Sequence, residues 1–233
     1  LRTGTLPSRD VNGGSLLPKS ISESAVRWGF VSDRRGFLAD LGSDHAALAR
    51  SRSKYDPRYA GQAGTVGRAS SARALAVDLV THVGFQQLAV FRIAQAMYRC
   101  RLTPLAMVVS RLIRHLYGAE MHWAADVQPG VVLVHGTGLV ISREASVGGG
   151  AVLSQHVTLG ISRDRSTGRT GAPTLQPNVH VAPGAVLLGP IVVGEGTKVG
   201  ANAVLDTSVP PFSLVQPAAA VVTERRPPSP SPR

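Results

Sequence analysis

Few residues of this chain can do chemistry. Its 233 residues include seven histidines and one cysteine. Cys100 cannot pair within the chain, so no disulfide framework is available. Cys100, His82 and His115 lack metal-ligand spacing with one another and read as structural, and no metal site is expected. His156 and His180 read as surface residues. Two interruptions of an otherwise regular pattern are more informative. In Val134-His135-Gly136-Thr137-Gly138 a histidine stands among glycines, and imidazole titrates near neutrality, where it can take or return a proton. The second, from Ile161 to Thr174, is a polar and basic loop whose Arg163, Arg165 and Arg169 read as surface arginines rather than a phosphate grip. Loops held on a rigid scaffold are where function concentrates.

The scaffold is legible as a period of six. Leu175, Val181, Leu187, Val193, Val199 and Leu205 are aliphatic at an unbroken spacing. Val179, Ala185, Ile191, Thr197 and Ala203 follow the first five at an offset of four and are mostly small. Ile141, Val147, Leu153 and Leu159 repeat the pattern upstream, as do Met121, Val127 and Leu133, and an eight-residue step joins Leu133 to Ile141. On a helix of about 100° per residue these positions drift around the cylinder. A hexapeptide β-helix keeps them inside: each six-residue piece forms one short side of a stacked coil, with a small residue at the corner. Stacked coils share one core, which agrees with an aromatic content of only 5%.

Elements outside the repeat are read from spacing and charge. Leu75, Leu79, Val80, Val83, Leu88, Phe91, Ala94 and Met97 recur at helical steps, with a bend at Gly84. A second helix starts at Pro104 and ends at Gly118, and its Leu105, Val108, Val109, Leu112, Ile113 and Leu116 are expected to pack on the next domain rather than on a membrane. Residues 1–70 read as a largely disordered basic extension with one short helix around 36–50, and residues 223–233 as a disordered Pro/Ser tail. Of the net +11, residues 1–70 and 71–119 carry +5 each, residues 120–222 carry −1 and the tail +2. The regular region is therefore near neutral, which argues against a nucleic-acid surface. Residues 1–20 lack the apolar run of a secretory signal, and no stretch reads as a membrane span, so a cytoplasmic protein is expected. The chain opens on Leu1 rather than Met, which leaves its true start open.

Residues 71–222 resemble the serine O-acetyltransferases of the hexapeptide acyltransferase superfamily, in their short bacterial form. The resemblance rests on Tyr117-Gly118-Ala119-Glu120-Met121-His122 and Val134-His135-Gly136-Thr137-Gly138-Leu139-Val140-Ile141. It also rests on Gln155-His156-Val157-Thr158-Leu159-Gly160, Lys198-Val199-Gly200-Ala201-Asn202-Ala203-Val204 and Val209-Pro210-Pro211. It implies a mainly β fold with some α: a left-handed parallel β-helix domain over 120–222, preceded by a small helical region over 71–119. It further implies a homotrimer or dimer of trimers with sites between subunits, acetyl-CoA as donor, a small-molecule hydroxyl acceptor and a place in cysteine biosynthesis. By the same resemblance His135 is the general base and Glu120 its orienting partner, where the family has an aspartate. Thr158, Gly160, Ala182, Lys198 and Ala201 match residues lining the CoA groove, and His122 matches a structural histidine of the first coil.

The departures bear on the acceptor. Val134 stands where the family has an aspartate that helps hold serine, and Gly171-Ala172-Pro173 where it has Arg-His-Pro. Each lost charge-assisted hydrogen bond is worth about 1.5–3 kcal/mol. Val215-Gln216-Pro217-Ala218 replaces Gly-x-Pro-Ala, and the family's terminal isoleucine is absent, so docking on a cysteine synthase is not expected. The readings that remain are a divergent serine acetyltransferase, an O-acetyltransferase for a sugar or natural-product hydroxyl, and a non-catalytic β-helix binding module.

Overall fold

The computed structural model describes residues 36–55, 72–165 and 167–218. Four helices come first: α1 (Phe37–Tyr55), α2 (Ala72–Thr81), α3 (Val83–Arg99) and α4 (Thr103–Tyr117). α1 is the short helix expected around 36–50 of the basic extension; it runs on to Tyr55 and docks through buried polar groups. The remainder of that extension and the Pro/Ser tail lie outside the described residues.

What docks α1 is a buried ion pair. Asp44 accepts from Arg92 Nε at 2.8 Å and Nη2 at 3.2 Å, and from the Gly130 amide at 2.7 Å. Arg92 also donates to the carbonyls of Val127 at 2.6 Å and Gln128 at 2.9 Å, and to Gln95 Oε1 at 2.8 Å. Burial pushes the Asp44 carboxyl above its ordinary value, against the pull of Arg92. Charges this deep are tolerated only when fully hydrogen-bonded, and these are. None of this was legible from spacing, since Asp44 and Arg92 are 48 residues apart.

Between α2 and α3 the chain bends by 106° at His82. The neighbouring Gly84 has a second role, because a Cβ there would overlap the Leu133 carbonyl oxygen. Pro104 lies in the first turn of α4, and Gly118, at φ 60°, closes it by donating to the Arg114 carbonyl at 3.0 Å. The expected packing of α4 is only partly realised. Ala106 and Ile113 are buried, whereas Leu105, Val108, Leu112 and Leu116 are about half exposed or more. Its apolar surface is wider than one stripe, and the stripe turned toward the coils is the one through Ala106 and Ile113.

Next comes a parallel β-solenoid of about five turns, with three strands to a full turn. The first coil is β1 (Glu120–Met121), β2 (Asp126–Val127) and β3 (Val132–Val134); the second is β4 (Val140–Ile141), β5 (Ser146–Val147) and β6 (Val152–Ser154). β7 (Thr158–Gly160) leads into an antiparallel hairpin, β8 (Ser162–Arg163) and β9 (Thr170–Gly171), in the loop expected at 161–174. β10 (Thr174–Leu175) and β11 (His180–Val181) complete that coil. β12 (Val186–Leu188), β13 (Val192–Val193) and β14 (Lys198–Val199) form the fourth, and β15 (Val204–Leu205) and β16 (Leu214–Val215) belong to the last. Three parallel sheets result: β1-β4-β7-β12-β15, β2-β5-β10-β13 and β3-β6-β11-β14-β16.

Register turns the period of six into stacked ladders. Met121, Ile141, Leu159, Leu187 and Leu205 face one another on the first sheet, and Leu133, Leu153, Val181 and Val199 on the third. All are almost wholly buried, in one core that continues into Leu88, Phe91 and Ile113 of the helices. The edge between the third and first sheets turns through left-handed residues in each of four successive coils: His135, His156, Gly184 and Asn202. No single helix among the described residues is long and apolar enough to cross a membrane.

Candidate active site

His135 sits on that edge, directly after β3, with φ 63° and an exposed ring. The Thr137 amide and hydroxyl both turn back on the His135 carbonyl, which tightens the turn. Behind it lies Gln87, wholly buried, with neither amide atom hydrogen-bonded. Its side chain presses on Gly136 so closely that any Cβ there would overlap it.

One face of the His135 turn borders a cavity of about 610 Å³. α1 contributes Leu48, Ser51 and Arg52 to its wall. Thr81 to Phe85, at the α2–α3 bend, supply a second side, and Val132, Val134, Val152, Ser154 and His180 of the third sheet form the floor. Behind Arg52 is a polar cluster. Asp78 accepts from Arg52 at 2.9 and 3.2 Å and shares a 2.7 Å hydrogen bond with His45 Nε2. Burial raises the Asp78 carboxyl, yet Arg52 and His45 outweigh it and hold the group below its ordinary value. His82 is held below the usual histidine value by burial and then by Arg52, with Asp78 opposing.

Glu120, the first residue of β1, is placed apart from this cavity. Its Oε1 accepts from Arg114 Nη2 at 2.7 Å, beside a hollow of about 300 Å³ that Arg111, His122 and Trp123 also line. No hydrogen bond joins Glu120 to His135. Their backbones are nonetheless neighbours: Glu120 N–H donates to Leu139 at 2.7 Å, and Gly138 N–H to Gly118 at 3.1 Å, across the turn that carries the histidine. His122 stacks on Trp123 at 4.1 Å and accepts from the Ala124 amide, as a structural residue does.

The remaining expected residues follow the same edge and its flanks. Ala182 and Ala201 lie just after β11 and β14, at the corners two and three coils beyond His135. With strands about 4.8 Å apart, the corner at Ala201 is about 14 Å further along. Thr158 and Gly160 are on the adjoining first sheet, and Lys198 is exposed on the third. Gly171 and Ala172 are buried, Gly171 against Pro190 and Ala172 within the main core, so neither offers a side chain to a ligand. His180, expected at the surface, is half-buried in the cavity floor. Arg52, His45 and Asp78 went unnoticed in the sequence. The one available signal was Asp78 itself, a lone acid in the apolar stretch Ala74–Val80. Among the described residues no three His, Cys, Asp or Glu side chains gather as a metal would require.

No protein-family model matches the chain. A serine acetyltransferase of Helicobacter pylori is 35% identical over 135 residues, which are 57% of this chain and 76% of that protein. The chain belongs to the serine acetyltransferase family. The enzyme of that name from Synechococcus elongatus is 39% identical over 132 residues, 57% of this chain; the match spans only about half, 53%, of the cyanobacterial protein. Among solved structures, soybean serine acetyltransferase complexed with serine superposes with a TM-score of 0.62 at 28% identity, covering 90% of this chain and 78% of that one. A serine acetyltransferase in complex with CoA shares the fold, with a TM-score of 0.60 at 24% identity, covering 84% of this chain and 71% of that one.

Proposed function

We propose that the protein transfers the acetyl group of acetyl-CoA to the hydroxyl of a small acceptor, with His135 as general base. The observation that carries this is the position of His135. It is an exposed imidazole in a strained turn, at the mouth of a cavity and on the edge where Ala182 and Ala201 follow. Ala182 and Ala201 present only methyl groups to that edge, and the exposed Lys198 is proposed to meet the phosphates of the donor. Acetyl-CoA brings an activated thioester. His135 takes the hydroxyl proton as the new C–O bond forms and returns it to the sulfur as the C–S bond breaks. Glu120 is proposed to orient the ring. Its pair with Arg114 is more than half exposed on both sides, so little opposes exchange of that partner.

L-serine is the reference acceptor, given the names of the relatives and the serine held by the soybean enzyme. A second reading, another hydroxyl, is favoured by the apolar Val134 beside His135 and the buried Gly171 and Ala172. The assembly proposed is a homotrimer or a dimer of trimers. Thiol release from acetyl-CoA tests the reaction: His135→Ala is expected to lower kcat by about 10²–10⁴. Glu120→Gln is expected to lower kcat with little change in KM. Wild-type protein that releases no CoA with any hydroxyl acceptor above the His135→Ala background is a binding module instead.

A further inference from the structure

The α2–α3 bend carries a second imidazole into the cavity that His135 borders. His82 is the residue at which the chain turns by 106°, and its backbone is fixed on both sides. Its amide donates to the Asp78 carbonyl at 3.0 Å, and its own carbonyl accepts from the Gln86 amide at 2.9 Å. Two residues on, Gly84 packs so closely on the Leu133 carbonyl that no Cβ fits between them. Leu133 belongs to β3, which ends one residue before His135. The bend and the His135 turn are therefore carried by elements in direct contact, and both histidines line one cavity.

The ring of His82 is not consumed by the fold. It takes no part in capping α3, and its Nε2 is 3.9 Å from Asp78, beyond hydrogen-bonding distance. The side chain is 39% exposed, which leaves the ring within reach of a ligand. Burial and then Arg52 hold it below the usual histidine value, so near neutral pH it is an uncharged imidazole with one N–H to donate. At the ring the charge of Arg52 outweighs that of Asp78, which favours an anionic partner. Gly171 and Ala172, at the extruded hairpin, are buried and offer a carboxylate no side chain.

We propose that His82 is a specificity-determining residue, donating a hydrogen bond to the carboxylate of L-serine while His135 takes the proton of its hydroxyl. The inference rests on the acetyl transfer to L-serine proposed above. Serine carries its hydroxyl and its carboxylate at the two ends of a short carbon chain, and imidazoles from two walls of one cavity suit those two ends. His82 neither gives up nor gains a proton in the transfer.

The test follows thiol release by the full-length protein from acetyl-CoA, with L-serine and with L-serinamide, which keeps the hydroxyl and the amine but lacks the anion. Wild type is expected to favour L-serine in kcat/KM by about tenfold or more. His82→Leu is expected to raise KM for L-serine about tenfold, with KM for acetyl-CoA and kcat/KM for L-serinamide within about twofold of wild type. His82→Gln returns an N–H donor and is expected to recover most of the loss. A folded His82→Leu that leaves KM for L-serine unchanged overturns the proposal. So does one that weakens both acceptors alike, which is the effect of a damaged bend. A wild type that does not distinguish the two acceptors also overturns it, and that result needs no variant. Release with neither serine compound above the His135→Ala background overturns it as well; acetyl transfer stands if glycerol or a sugar then releases CoA, and falls if no hydroxyl does.

Discussion

At the scale of single residues, the turn that carries His135 is held in shape at a cost to stability. Gly136 has φ 41° and no room for a Cβ, because Gln87 presses on it. Gln87 is wholly buried and neither amide atom is hydrogen-bonded. A buried amide without partners costs about 1–3 kcal/mol. Gln87→Met keeps the length of the chain and removes the orphaned polar atoms. It is expected to raise the thermal midpoint by about 2–4 °C per kcal/mol recovered. Gly136→Ala, which meets both the overlap and the positive φ, is expected to lower it. Calorimetry on the two variants checks both signs, and a midpoint lowered by Gln87→Met shows that the amide has a partner. His135 was visible in the sequence because a histidine among glycines interrupts a counted repeat. Gln87 was not, since nothing in helical spacing says that a polar residue inside α3 will face a glycine 49 positions on.

Among elements, α1 and the α2–α3 bend close the cavity, and both depend on titratable groups. His82 is held below the ordinary histidine value of 6.5 by burial and then by Arg52, with Asp78 opposing. With a folded value below the unfolded one, the unfolded chain binds more protons in acid. The contribution of His82 is therefore full above the ordinary histidine value and is lost as pH falls through the depressed folded value. Thermal midpoints measured from about pH 7.5 down to about pH 5.5 are expected to fall more steeply for wild type than for His82→Gln. Parallel curves remove His82 from the account. The buried carboxyls of Asp44 and Asp126, raised chiefly by burial, act in both proteins and cancel in the comparison. The bend itself was legible near Gly84. The docking of α1 was not, because it rests on Asp44, Arg92 and Asp78, whose partners come from other elements.

For the whole molecule, the solenoid was the most legible part, because its core repeats. Each coil buries the same kinds of side chain at the same register, so a single chain exposes the pattern without any long-range knowledge. α4 was misjudged for the converse reason: amphipathic spacing marks an apolar face but not what covers it. Leu105, Val108, Leu112 and Leu116 lie three to four residues apart and form one band on the helix, exposed by 46–66%. A continuous apolar band of this kind marks a contact surface, whereas scattered exposed leucines do not. In the homotrimer or dimer of trimers proposed above, a second copy of this chain is expected to cover it. The chain mass is 24.4 kDa, so sedimentation is expected to give about three or six times that value for wild type. Leu112→Glu with Leu116→Glu places two charges in the band while leaving the buried Ala106 and Ile113 stripe intact, and is expected to shift the mass toward one chain. A wild-type mass of one chain overturns the assembly. A multimer that the double variant leaves unchanged places the subunit contact on another surface.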